Sequence, residues 1–293
     1  MKKLIGFIRL TRPANIVTAI SDILAGAAIA GYAGGMTELP SVLLLILATI
    51  GLYGGGVVFN DVFDAALDRV ERPERPIPSG LITEREGSIL GLSLLIGGVS
   101  AAIGVSTYPS GMIAFAIALA ALIYDRWGKH HRILGPLNMG LCRGLNLLLG
   151  ISLVPEGLNQ FGYLVVIPII YIAAITMVSR GEVHGGKSKV MLFAAFLYLV
   201  VIGSILFVSV EHGNSSYAMF FLIIFSILIY PPLLRAFRQP VGPNIGKAVK
   251  AGVLSLIVMN ASWAAAFGAF YLALVIVLLL PISILLAKLF AVT

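Results

Sequence analysis

Residues 40–59 read PSVLLLILATIGLYGGGVVF, and residues 60–80 continue as NDVFDAALDRVERPERPIPSG. The first stretch carries no charge and stops abruptly at the second. A helix needs about 20 apolar residues to cross the hydrocarbon of a bilayer. Lipid offers the backbone no hydrogen-bond partners, so a crossing segment must be a helix or part of a closed barrel. Barrel strands alternate in polarity over about ten residues, and residues 40–59 do not. The stretch therefore reads as a membrane-crossing helix that delivers a dense charged block to one membrane surface.

The same pattern repeats along the chain. Of its 293 residues, 59% are hydrophobic and 11% charged, against about 25% charged in soluble domains; the mean hydropathy is +1.02. Apolar runs predict spans at 14–34, 40–59, 86–106, 110–125, 134–154, 161–179, 190–210, 217–234, 248–267 and 269–290. Only Phe267, Gly268 and Ala269 separate the last two, which form a hairpin or one broken element. The expected fold is all-α, a polytopic bundle of nine or ten transmembrane helices forming a single domain over residues 1–293. Arg9 and Arg12 interrupt the early apolar run, so the N-terminus reads as an uncleaved first helix rather than a signal peptide. Cys142 lies in an apolar stretch and has no second cysteine to pair with.

The net charge of +7 invites a nucleic-acid reading, but its placement answers to topology instead. Lysines and arginines cluster before the first span, after each even-numbered span and at Lys288. The short loops near 36–39, 107–110, 155–160 and 211–216 have none, and of the 20 basic residues only Arg143, deep within a span, stands outside this one-sided pattern. By the positive-inside rule the N-terminus and the long, polar loops face the cytoplasm. The expected partners are thus membrane lipid and small lipophilic molecules, with no nucleic acid.

Within the block at 60–80, Asp61, Asp64 and Asp68 recur at i, i+3 and i+7, one face of a helix. Like charges stacked this way are tolerable when solvated or when a divalent cation sits among them. Magnesium takes oxygen ligands, commonly one or two carboxylates plus substrate phosphates. Arg69, Arg72 and Arg75 follow in the same loop, and guanidinium groups match phosphate oxygens. A mixed-charge loop capping a helix is the plainer alternative. The whole constellation suits a site for magnesium and a diphosphate-bearing lipid.

This segment resembles the signature of the UbiA superfamily of intramembrane prenyltransferases. The resemblance rests on Asn60-Asp61-Val62-Phe63-Asp64, then Asp68, Arg72, and Arg75-Pro76-Ile77-Pro78-Ser79-Gly80, with Arg12-Pro13-Ala14-Asn15 near the start. It implies a helical bundle around a central cavity. It also implies magnesium-dependent transfer of a prenyl group from a polyprenyl diphosphate to a lipophilic or aromatic acceptor. Asp61, Asp64 and Asp68 would organise the metal, with Asn60 as a neutral ligand or a carboxylate-orienting group, and Arg72 would hold diphosphate. The family carries a second acidic motif after the sixth span. Here that place reads Ser179-Arg180-Gly181-Glu182-Val183-His184-Gly185-Gly186-Lys187, with Glu182 its only carboxylate. Glu182 would be the remaining metal ligand there, leaving one or two ions open. His184 is a metal ligand, a base or a polar loop residue near headgroups. In the loop after the fourth span, Tyr124 and Lys129 match the family pattern. Lys129 would contact diphosphate and Arg126 would assist, unless these residues serve as interfacial anchors.

Ionisable residues inside a membrane are costly and usually face a cavity with a partner. Asp22 and Arg143 are such residues, and they are expected to pair, with Arg143 facing the cavity. Asn15 is expected near the cavity mouth in contact with substrate, and Asn260 to hydrogen-bond between helices. Two readings compete with the enzyme. A transporter of an isoprenoid or other anionic metabolite would also carry intramembrane charge. A scaffold without catalysis would explain Ser179 and Gly186 where the family commonly has Asp.

Overall fold

The structure, a computed structural model, describes residues 2–131, 133–183 and 185–290. Every expected span overlaps a helix, although residues 30–34 lie past a helix end and residues 161–179 include the 3₁₀ turn Gly162–Val165. The helices are α1 (Lys2–Leu10), α2 (Pro13–Ile29), α3 (Leu39–Phe63), α4 (Ala65–Glu71), α5 (Glu84–Val105), α6 (Met112–Arg126) and α7 (Leu134–Ile151). They continue with α8 (Pro155–Phe161), α9 (Val166–Ser179), α10 (Ser188–Glu211), α11 (Ser215–Arg238), α12 (Gly242–Ala266) and α13 (Phe270–Leu289). Among the described residues, eight segments are long and apolar enough to cross a membrane. The other two expected spans are α2, with 17 residues, and α7, which carries Asn138, Arg143 and Asn146. The last two spans form a tight hairpin, turned by Gly268 at φ 82°.

The helices close on themselves. Neighbouring pairs run α3–α6, α6–α7, α7–α9, α9–α10, α10–α11, α11–α12 and α12–α13, with α13 returning to α2. Helix α5 packs outside, on α3. Helix α2 touches α3, α7, α12 and α13 at once, and its residues from Val17 to Ile29 are buried almost without exception. Its run of small residues, Ala25-Gly26-Ala27-Ala28, permits that. Lipid tails are as apolar as leucine, so helices in membranes associate through close packing of small side chains. Gly26 faces Gly150 on α7 so closely that a Cβ on Gly26 would lie 2.4 Å from the Leu147 carbonyl oxygen and 2.7 Å from the Ile151 nitrogen. Backbone atoms cannot rotate away, so Gly26→Ala must push α2 and α7 apart. It is expected to destabilise the protein by about 1–3 kcal/mol and to lower its melting temperature in detergent; an unchanged melting temperature would contradict this crossing.

At the basic end, α1 and the loop after α4 form a cap. Leu10, Val58, Ala65, Ile77 and Ile82 make a separate apolar cluster beneath α1. The stretch Arg75–Gly80 is folded into this cap. Pro76 and Ile77 are buried, the Gly80 amide donates to the Ile77 carbonyl, and Gly80 takes φ 75°. Positive φ is cheap only for glycine. Thr83 and Glu86 then form a reciprocal capping box that starts α5.

Candidate active site

Helix α3 carries Asn60 and Asp61 in its last turn, and Asp64 stands at the junction with α4. The backbone stays hydrogen-bonded through that junction, Asp64 N to Asn60 O and Asp68 N to Asp64 O, so the three carboxylates follow one another at near-helical spacing. Their mutual repulsion is answered by cations from three separate segments. Arg12 donates to Asp61 Oδ1 at 2.6 Å. Arg75 donates to Asp68 Oδ2 at 2.7 Å and to Asp61 Oδ1 at 3.4 Å. Lys129 donates to Asp64 Oδ1 at 2.5 Å. Asp61, Asp68 and Arg75 are all buried, where removing one partner would leave an uncompensated charge.

Local sequence explains how each cation reaches its place. Arg12 lies between α1 and α2 at φ 48°, ψ 67°, a left-handed conformation that costs an ordinary residue roughly 1–2 kcal/mol. Pro13 fixes the next φ and starts α2. Arg75 is held inward by the buried Pro76-Ile77 step. Lys129 lies in the short 3₁₀ turn Gly128–His130 after α6.

Two buried atoms of the cluster, Asp61 Oδ2 and Arg75 Nε, have no hydrogen-bond partner among the described residues. Buried polar atoms are nearly always satisfied, so such exceptions call for an explanation. Among the described residues, no three His, Cys, Asp or Glu side chains converge closely enough to hold a metal ion by themselves.

Behind the carboxylates a cavity of about 230 Å³ runs into the bundle, and its lining includes Arg12, Tyr53, Asn60, Tyr124, Asp125 and Arg143. Asn60 Nδ2 donates to Asp125 Oδ1 at 3.0 Å at its rim. Leu52, Val57, Ile117 and Met139 supply apolar wall, and Thr49 and Asn146 lie at the inner end. Thr49 precedes Asn60 by 11 residues on α3, which sets it about 16 Å deeper at helical rise.

The inner end is a fully buried polar network. Arg143 donates to Asp22 Oδ2 at 2.7 Å and to Thr18 Oγ1 at 2.5 Å. Asn146 donates to Asp22 Oδ2 at 3.0 Å and to the Ala19 carbonyl at 2.9 Å, while accepting from Thr49 at 2.7 Å. Asn260 donates to Asp22 Oδ1 and to Ser21 Oγ, each at 2.7 Å. The Arg143 guanidinium lies 5.0 Å from the centre of the Tyr53 ring, in cation–π range. The expected Asp22–Arg143 pair is thus present, and Asn260 bridges α12 to α2.

Other expected residues lie further out. Arg72 and Glu182 are exposed, in loops that approach each other. Protein packed around the Glu182 carboxyl raises its pKa above the usual carboxylate value, and the Arg72 charge opposes that rise. Ser179 bonds back to the Thr176 carbonyl at 3.0 Å. Arg126 is exposed and its guanidinium sits 5.7 Å from the Phe63 ring centre. Asn15 is half-buried in the first turn of α2. His184 lies outside the described residues. Three participants were not singled out from the sequence as site residues: Arg12, Arg75 as a carboxylate partner, and Asp125. For Arg12 the available signal was its place before Pro13-Ala14-Asn15. For Asp125 it was a carboxylate directly after Tyr124.

The model of the UbiA prenyltransferase family matches residues 21–230. Among curated proteins, the digeranylgeranylglyceryl phosphate synthase of Methanoculleus marisnigri is 35% identical over 144 residues, 49% of this chain and 50% of that one. The synthase of the same name from Ignicoccus hospitalis is 29% identical over 190 residues, 64% of this chain and 60% of that one. The chain thus matches about half to three-fifths of the length of these relatives. Among solved structures, the apo form of a UbiA homologue from Aeropyrum pernix K1 aligns with a TM-score of 0.70 at 15% identity, covering 84% of this chain and 96% of that one. A UbiA homologue from Archaeoglobus fulgidus bound to GPP and Mg²⁺ aligns with a TM-score of 0.59 at 11% identity, covering 91% and 99%. At such identities the structural likeness speaks to the fold.

Proposed function

Given that the chain belongs to the UbiA prenyltransferase family, we propose that it transfers a prenyl group from a polyprenyl diphosphate to a lipophilic or aromatic acceptor inside the membrane. The observation that carries this reading is the juxtaposition at the cavity rim. Carboxylates and cations sit paired beside a cavity that Arg12 and Asn60 line at its rim and whose wall is apolar and aromatic above a polar inner end.

Magnesium fits the residues present. It commonly takes one or two carboxylates and completes its shell with water and substrate phosphate, so the lack of a three-carboxylate cluster is no obstacle. Asp61, with its unpaired Oδ2, and Asp64 would hold it, with Asn60 beside them. Bound there, the ion would neutralise charge developing on the departing diphosphate. Asp68 keeps Arg75 in place, and through it the orientation of Asp61. Arg12, which lines the cavity, and Lys129, paired with Asp64, would exchange a carboxylate for a diphosphate oxygen, since both keep part of the side chain exposed. Arg72, Arg126 and Glu182 lie on the same membrane face and would engage the outer phosphate or a second ion. The walls exclude water, which would otherwise capture an allylic cation. Tyr53 and Tyr124, which line the cavity, would supply π electrons near that cation.

The basic residues support an orientation with the N-terminus and this rim facing the cytoplasm. Incubating purified protein with geranylgeranyl diphosphate, magnesium and separate acceptors, one aromatic and one a glycerol phosphate derivative, tests the reading. A prenylated product from one acceptor class is expected. No product from either class, under conditions where donor binds, would contradict transfer.

A further inference from the structure

A second concavity, of about 690 Å³, opens on the outside of the bundle between α7, α9 and α10. It shares no lining residue with the central cavity. We propose that this groove holds one anionic phospholipid, its phosphate at Lys187 and Lys189 and an acyl chain along the helices.

Chemistry at the head of the groove selects for negative charge. The lining includes Arg180, Lys187 and Lys189 and, among the described residues, no Asp or Glu. Arg180 is anchored across the head by a 2.9 Å bond from its guanidinium to the His131 carbonyl. Lys187 and Lys189 are exposed, and neither forms an ion pair among the described residues. Helix α10, 24 residues long, begins there with Lys187 as its N-cap, no side-chain cap and no acidic residue in its first turn. Val190 N is bonded to the Lys187 carbonyl at 2.8 Å, and the dipole of the helix start favours an anion. Gly185 and Gly186 also line the groove.

Below the head the groove is apolar. Leu137, Ile170, Met177, Phe193 and Leu197 line it, and Leu137 and Phe193 are 47% and 51% exposed, so the wall faces lipid rather than the bundle interior. From Lys189 to Leu197 the wall extends about 12 Å along α10. A charged end at the membrane surface and an apolar slot running inward match the two ends of a phospholipid. A soluble anion would use only the head, and a neutral lipid only the slot.

The test is native mass spectrometry of the full-length protein in detergent, titrated with dioleoyl phosphatidylglycerol, dioleoyl phosphatidylcholine or inorganic phosphate. Phosphatidylglycerol is expected to bind with a single tight site. The double variant Lys187→Gln/Lys189→Gln is expected to weaken it about thirtyfold, from two lysines at the strength basic side chains show beside anionic lipid. Ala173→Leu, which fills the slot, should weaken both lipids. The control Lys247→Gln/Lys250→Gln, at two exposed lysines on α12, should leave the tight site intact. Equal binding of the two lipids, displacement by inorganic phosphate, or the same loss in control and groove variants would overturn the proposal. The readout is lipid binding, so its outcome is independent of prenyl transfer.

Discussion

Asp64→Asn is expected to reduce diphosphate release by on the order of 10²–10³-fold, the loss typical when one electrostatic element of a preorganised site is removed. The substitution preserves shape, and the amide oxygen can still accept from Lys129, which lies 2.5 Å from Asp64 Oδ1. Asp64 keeps 20% of its side chain exposed, so solvent softens the cost of leaving Lys129 without its charged partner relative to the fully buried pairs. The variant should therefore melt near the wild type while losing kcat/KM. Both properties must be measured together. A variant that is inactive because it is unfolded says nothing about chemistry. A folded variant with wild-type turnover would remove Asp64 from the reaction.

The second large effect lies deep in the bundle. Asp22 accepts from Arg143, Asn146 and Asn260, three donors from two neighbouring helices. Breaking a buried charge pair by removing one partner typically costs about 3–5 kcal/mol, because the other charge is left unpaired. Asp22→Asn and Arg143→Gln are each expected to destabilise the protein by that order. The double variant removes both charges and should be less destabilised than the sum of the singles, with a coupling of at least about 1 kcal/mol. Reversible unfolding in mixed micelles gives the three values. Strict additivity would mean that the pair contributes nothing beyond its separate hydrogen bonds.

Much of this was legible in the sequence, for identifiable reasons. Span positions follow from run length and from charge asymmetry, because lipid imposes both on every helix. The last two spans were ambiguous for want of any polar loop; the structure resolves them as a hairpin because Gly268 can take the left-handed turn. Asp22 and Arg143 could be paired in advance because each would be costly alone. The cations that meet the carboxylates were harder to read. Arg12 lies 49 residues from Asp61 and Lys129 lies 65 from Asp64, and nothing local encodes those meetings. Arg75 had the look of a phosphate ligand like its neighbours Arg69 and Arg72. Only the folding of Pro76 and Ile77 beneath α1 turns it inward, whereas Arg69 pairs with Glu84 at the surface, at 2.8 Å. Glu182 was legible as the only carboxylate of its loop, and its approach to Arg72 needs the tertiary fold.

Rim, cavity and polar floor together make one claim, that the carboxylates at the end of α3 organise magnesium so that a prenyl diphosphate ionises in a dry cavity. Release of diphosphate from a panel of polyprenyl diphosphates by the purified protein, with acceptor present and with magnesium or EDTA, tests this most directly. Release is expected to require magnesium and to stop with EDTA. Donor that neither releases diphosphate nor binds in a magnesium-dependent way would contradict it.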